Sequence, residues 1–116
     1  MLLALKWVIV AIMAIHGLIH LMGALNELGL AKIEEAVGTL FALPKTLQKA
    51  LGAVWFISVV LFIISALGLA TGQPWWWITA IPAVIISQIL IIIWWPAAKF
   101  GTIPNVLIVI GLILIH

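Results

Sequence analysis

His16 and His20 stand four residues apart inside "WVIVAIMAIHGLIHLMGAL", a run otherwise made of apolar and small residues. Imidazole is the side chain whose ordinary pKa lies nearest neutrality, so such a pair can bind a metal, hydrogen-bond a ligand or move a proton. At 3.6 residues per turn, positions 16, 20, 23 and 27 share a helix face, and His16, His20, Gly23 and Glu27 form one stripe. Three chemistries fit. In the first, two neutral imidazoles bond Ser, Gln or backbone groups of neighbouring helices and hold a bundle together. In the second they bind a metal or a haem: His at i and i+4 can reach one ion, although the acidic residue of the helical zinc-protease motif is missing. A haem with two axial His needs them on opposing helices, which a dimer would supply. In the third, the pair lines a pocket for a quinone, a lipid or a small apolar substrate, where His donates a hydrogen bond or moves a proton.

Polar residues elsewhere are candidates to meet this stripe. Ser87 and Gln88 lie near the middle of "WWWITAIPAVIISQILIIIWW" and can face His16. Pro82, one turn earlier, frees a backbone carbonyl that needs a partner. Asn105, near the start of the last apolar run, falls at the expected depth of His20, with Glu27 and Lys99 at or just outside that level. A ligand pocket of His16, His20, Ser87, Gln88 and Asn105 follows, with Glu27 and Lys99 completing a polar cluster or proton relay around His20 and Asn105. Ser58 and Ser65 are seven apart and share a face, where small-residue packing explains them better than catalysis.

The elements that must position these groups are set by composition. Of 116 residues, 67% are hydrophobic and 7% charged. A soluble domain is roughly half apolar and a quarter charged. A core of this size cannot bury that much apolar surface, so lipid must replace the interior for much of it. Arg, Asp, Cys and Tyr are absent, which excludes disulfides, thiol catalysis, iron–sulfur clusters and Cys-type zinc sites. Five Lys against three Glu form no basic cluster, so nucleic acid is not a partner.

Four apolar runs predict four membrane helices, at about 3–25, 50–71, 76–95 and 103–116. The first is too long and lacks the cleavage pattern of a secretory signal, and reads as a retained helix. The last would rise only about 21 Å, so it tilts in thinner bilayer or belongs to a longer chain; His116, at its end, is a weak site candidate. Residues 32–41, "KIEEAVGTLF", place Ile33, Val37, Leu40 and Phe41 opposite Lys32, Glu34 and Glu35, the pattern of a short amphipathic interfacial helix. Pro44 ends that segment and begins the next helix. The turns "TGQPWWW" and "WPAAKFGTIP" are short, which predicts antiparallel neighbours and an all-α, up-down-up-down four-helix bundle in one domain. Lys32, Lys45, Lys49 and Lys99 against Lys6 place the Lys-bearing loops in the cytoplasm and both termini outside a multi-pass cell-membrane protein. The tryptophans read as two interfacial belts, Trp7, Trp75, Trp76 and Trp77 on one side and Trp55, Trp94 and Trp95 on the other. Gly68 and Gly72, four apart, are a weak signal for a homo-oligomer.

Two blocks carry a resemblance. "HGLIHLMG" and, later, "SQILI" followed by "WPAAKFGTIPN" resemble the HGxIHxxG, SQxLI and WxDAKFGTxxN pattern of a group of small uncharacterised bacterial and archaeal four-helix membrane proteins. The chain is more loosely similar to the DoxX-like proteins, small membrane subunits of which some are linked to quinone reduction. The resemblance implies roles for His16, Gly17, His20, Gly23, Ser87, Gln88, Trp95, Lys99, Phe100, Gly101, Thr102 and Asn105. Ala97 stands where the pattern has Asp, so a carboxylate partner for Lys99 is missing. The resulting expectation is a small membrane protein, redox-associated or binding a quinone-like or lipid-like molecule or a metal at its His pocket. The alternative is a non-catalytic scaffold or partner subunit of a larger membrane complex. A reductase or isomerase activity would require a proton donor, and His20 backed by Glu27 is the candidate.

Overall fold

The computed structural model describes residues 2–27 and 43–115. The amphipathic helix expected at 32–41 and His116 lie outside the described residues. Among the described residues every regular element is helical: α1 (Leu2–Glu27), α2 (Lys45–Ala70), α3 (Trp76–Ile93), the single turn α4 (Trp95–Ala98), a 3-10 turn (Lys99–Gly101) and α5 (Thr102–Ile115). Leu2–Leu25, Lys45–Ala70 and Trp76–Ile93 are long and apolar enough to cross a membrane, whereas Lys99–Ile115 is shorter.

The boundaries follow local chemistry. Helix α2 starts five residues before the apolar run because Pro44 caps it in an extended conformation and its carbonyl accepts from Gln48 N–H at 3.0 Å. Its far end is closed by Gly72, whose φ of +74° lets Gly72 N–H reach the Leu69 carbonyl and Gln73 N–H the Gly68 carbonyl. That pair of bonds satisfies end carbonyls and needs the left-handed conformation that Gly adopts without strain. Helix α3 runs through Pro82 but stops at Ile93, two residues short of the expected span. Trp94 leaves helical geometry there, and Pro96 has no N–H to continue the ladder.

The long helices form a closed ring of neighbours: α1 lies against α2 and α5, and α3 lies against the same two helices. Helices α1 and α3 therefore face each other across the centre. On α1 the buried positions Ile9, Met13, His16, Gly17, His20 and Ala24 repeat every three or four residues, while Ile15, Leu18, Ile19 and Met22 point outward. This arrangement keeps the apolar surface on the outside as well as in the core, the pattern expected where the surroundings are as apolar as the interior.

The interior has two apolar clusters. One gathers Ile9, Met13, Phe62, Ala66, Leu69, Trp76, Ala80, Ala83 and Ile108; the other gathers Ala24, Trp55, Leu90 and Trp94. Trp55, Trp76 and Trp94 are buried, at 6%, 4% and 1% exposure, which corrects their assignment to interfacial belts. Bundles this narrow need large rings to fill the centre, and Trp supplies the most volume. Trp7, Trp75 and Trp95 remain 40% or more exposed. Gly68, one half of the expected oligomer signal, is taken up inside the chain, where a Cβ would come within 2.9 Å of the Trp75 ring.

Contact between α1 and α5 depends on Gly111, where an added Cβ would lie 2.6 Å from Ile9 Cγ1. Ile9 is buried and branched at Cβ, so it has little room to retreat. Gly111→Ala is expected to destabilise the protein by about 1–3 kcal/mol, the range for overpacking a tight core. Denaturant titration in detergent micelles, followed by helical circular dichroism, checks this; an unchanged midpoint would show that α5 shifts freely.

Candidate functional site

Between the two apolar clusters lies a polar layer. His16, His20, Ser87 and Asn105 are 2%, 3%, 0% and 2% exposed, and α1, α3 and α5 contribute them. In so dry an interior each polar atom needs a partner, and nearly all of them find one. His16 Nε2 donates to Asn105 Oδ1 at 2.9 Å. Asn105 Nδ2 donates to Ser87 Oγ at 3.0 Å and to Gln88 Oε1 at 3.1 Å. Gln88 Nε2 in turn reaches Thr102 Oγ1 at 3.1 Å. Ser87 Oγ lies 2.6 Å from His20 Nε2 and 3.5 Å from His16 Nε2, so this hydroxyl stands between the two imidazoles.

The rings are held by aromatic edges as well. His16 and His20 meet at a centroid distance of 4.2 Å, nearly perpendicular. Phe62 of α2 touches both, at 5.0 Å and 5.5 Å, and Trp55 touches His20 at 4.9 Å. Small residues admit these neighbours. A Cβ on Gly23 would sit 3.4 Å from the Trp55 ring, and one on Gly101 would sit 3.5 Å from His16 Cε1 and 2.9 Å from Ile91.

The structure brings together His16, His20, Ser87, Gln88 and Asn105, as the spacing predicts, but pairs them differently. Asn105 bonds His16, not His20. Helix α5 begins at Thr102, one residue earlier than the apolar run suggests, and sets Asn105 on the face that meets His16 and Ser87. The cluster of His20, Glu27, Asn105 and Lys99 does not form. Glu27 instead accepts from Trp94 Nε1 at 3.1 Å, while Lys99 is exposed with its ammonium 5.5 Å from the Phe100 ring. Ser65 and Ser58, both fully buried, turn out to be packing residues: Ser65 bonds the Leu61 carbonyl and Thr79, and Ser58 only the Ala83 carbonyl at 3.4 Å. Phe62, Trp55 and Trp94 surround the site without any polar signal in sequence that could have marked them.

As a metal centre the donor set is thin. No group of three or more His, Asp or Glu is gathered among the described residues, and both Nε2 atoms already serve hydrogen bonds. His16 and His20 share α1 and are in edge contact, so a haem with two axial His would need the second from another copy of the chain. Beside the network, between α1 and α5, a groove of about 260 Å³ opens on the outer surface, lined by Ile12, Ile15, Ile19, Ile103, Pro104 and Leu107 with His16 as its one polar member. Comparison with protein families, curated proteins and solved structures finds no match to this chain.

Removing the shared hydroxyl tests whether the layer acts as a unit. Ser87→Ala deprives His20 and Asn105 of a partner and is expected to cost about 1–3 kcal/mol. Ser58→Ala, which loses one long bond, should stay within about 0.5 kcal/mol of the parent. Equal effects in denaturant titrations would contradict this account.

Glu27 gives a pH test. Burial raises its pKa, and the Trp94 N–H, which stabilises the carboxylate, offsets part of that rise. Folding therefore favours the protonated acid. The stability it contributes is complete below the unfolded glutamate value of about 4.3 and is lost as pH rises through the higher folded value. The melting midpoint should fall across that window, and Glu27→Gln should flatten the fall.

Proposed function

We propose that this chain is an integral cell-membrane protein, a four-helix up-down-up-down bundle that binds a quinone-like or lipid-like molecule in the α1–α5 groove. Support for insertion comes from three helices of spanning length, the outward-facing isoleucines and leucines, and a molecule 45 Å long and about 20 Å wide. A bilayer hydrocarbon core is about 30 Å thick. Alternating helix direction accords with Gly17 and Gly23 meeting Phe62 and Trp55, and with Gly111 meeting Ile9 where Asn105 meets His16. In this reading the termini lie outside and the Lys-bearing loops in the cytoplasm, by the distribution of lysines.

The observation that carries the ligand reading is the groove itself. Six apolar residues line it, and His16, whose Nε2–H is spent on Asn105, adds little more than ring carbon, which suits an apolar ring or chain held by packing. Asn105 fixes His16 Nε2 from behind, so the ring is held in one orientation at the groove floor. The loose sequence resemblance to DoxX-like subunits, to which no comparison adds support, suggests the same ligand class. Such a protein would act as a small redox-associated subunit, presenting or receiving its ligand laterally from lipid.

A second reading is favoured by a different observation: the network is closed on itself, with His16, Ser87, Gln88 and Asn105 partnered by one another and by Thr102. In that case the polar layer is a structural clamp in a scaffold or partner subunit.

Purified protein in detergent separates the two. Quenching of tryptophan fluorescence by a decyl-benzoquinone should report saturable binding, and mass spectrometry should find co-purifying quinone or lipid. Leu107→Trp, on an exposed face, fills the groove without touching the network and should weaken binding tenfold or more, with stability unchanged. If no ligand is found and quenching is unaffected by Leu107→Trp, the groove is no binding site. A His16→Leu/Asn105→Leu protein that is also less stable would then favour the clamp.

A further inference from the structure

Two buried side-chain polar atoms among the described residues have no hydrogen-bond partner: His20 Nδ1 and Trp55 Nε1. Their side chains are 3% and 6% exposed, and the two rings are in edge contact, with centroids 4.9 Å apart at 67°. An indole nitrogen can only donate. Whether His20 Nδ1 donates or accepts follows from the network on its other side.

Asn105 Oδ1 only accepts, so His16 Nε2 carries a proton. Asn105 Nδ2 donates to Ser87 Oγ and to Gln88 Oε1, which makes Ser87 an acceptor from Asn105. The one proton of Ser87 then goes to its nearest acceptor, His20 Nε2 at 2.6 Å, in preference to Asn105 Oδ1 at 3.4 Å. A neutral imidazole that accepts at Nε2 carries its proton on Nδ1. The His16 carbonyl one turn back is an acceptor within reach of the His20 ring, but it falls short of full hydrogen-bond geometry to Nδ1. Two N–H donors, on rings in edge contact, are therefore buried in an apolar interior without a full partner. Native interiors rarely leave such donors unpaired.

We propose that His20 Nδ1–H and Trp55 Nε1–H form a second binding site, on the seam of α1 and α2, for one uncharged oxygen acceptor. That oxygen is a water molecule or the carbonyl of an apolar ligand. Phe62 lies 5.5 Å from His20 and Trp94 lies 5.6 Å from Trp55, by ring centroids, so the surroundings offer no charge to hold an anion. The site is separate from the α1–α5 groove and does not rest on the ligand reading given above.

The test uses full-length protein in detergent, isotope-labelled at the indole nitrogens, with the Trp55 signal assigned by its loss in Trp55→Phe. A hydrogen-bonded indole proton that cross-relaxes with water identifies water as the occupant. A proton that shifts only when decyl-benzoquinone is added identifies a ligand carbonyl. Replacing Trp55 by benzothienylalanine, which keeps the bicyclic shape and lacks the N–H, should lower the melting midpoint by roughly 4 °C or more if an acceptor is held there. The proposal is overturned if the Trp55 proton resonates as a free indole, ignores water and quinone, and the benzothienyl protein melts at or above the parent. A Trp55 proton bonded to another group of the protein overturns it equally.

Discussion

The structure depends on one constraint: two imidazoles buried in an apolar bundle must find hydrogen-bond partners inside it. His16 and His20 are buried from bulk water, so the cost of stripping their Nε2 atoms is met by Asn105 and Ser87, which belong to different helices. Hydrogen bonds have directions as well as energies. They fix the rotation of α1, α3 and α5 about their own axes in a way that isoleucine packing alone, with many near-equivalent arrangements, does not. The polar layer thus sets the register of the bundle together with the close contacts at its glycines.

That layer requires close approach, and the chain supplies it with small residues. Gly17, Gly23, Gly101 and Gly111 each face a large side chain of a neighbouring element, and Ala80 and Ala83 are fully buried. In the lipid setting proposed for it, helices would gain little from hiding apolar surface, so contact and hydrogen bonding would carry association. The tryptophans complete the filling. Trp55 meets both His20 and Trp94 edge-on, and Trp94 also holds Glu27 at the end of α1. One helical stripe, from His16 to Glu27, therefore organises polar and aromatic partners from all three other long helices.

Much of this was legible. The apolar runs predict helices whose bounds differ from those observed by a few residues, and the differences come from Pro44, Trp94 and Pro96, which act through backbone geometry. The spacing of His16, His20, Gly23 and Glu27 predicts a shared face, and His16 and His20 do point inward. Ser87, Gln88 and Asn105 are legible as partners because an apolar helix has few other uses for an amide or a hydroxyl. Their pairing was not legible. A depth estimate places Asn105 beside His20, and the eight residues of broken helix between α3 and α5, which no such estimate can place, leave it bonded to His16. The belt assignment fails at Trp55, Trp76 and Trp94 for a related reason: an indole suits an interface and a narrow core equally well, and only the rotation of each helix selects between them.

By itself, then, the sequence determined an all-helical chain, the lengths of its apolar segments and the short list of side chains able to do chemistry. These depend on local composition and periodicity, which a chain carries without reference to its neighbours. The tertiary structure alone decided which nitrogen meets which oxygen, left His20 Nδ1 and Trp55 Nε1 unpaired, and opened a groove beside His16. Those outcomes depend on helix rotation and offset of a few ångströms, set by all the contacts of the ring together.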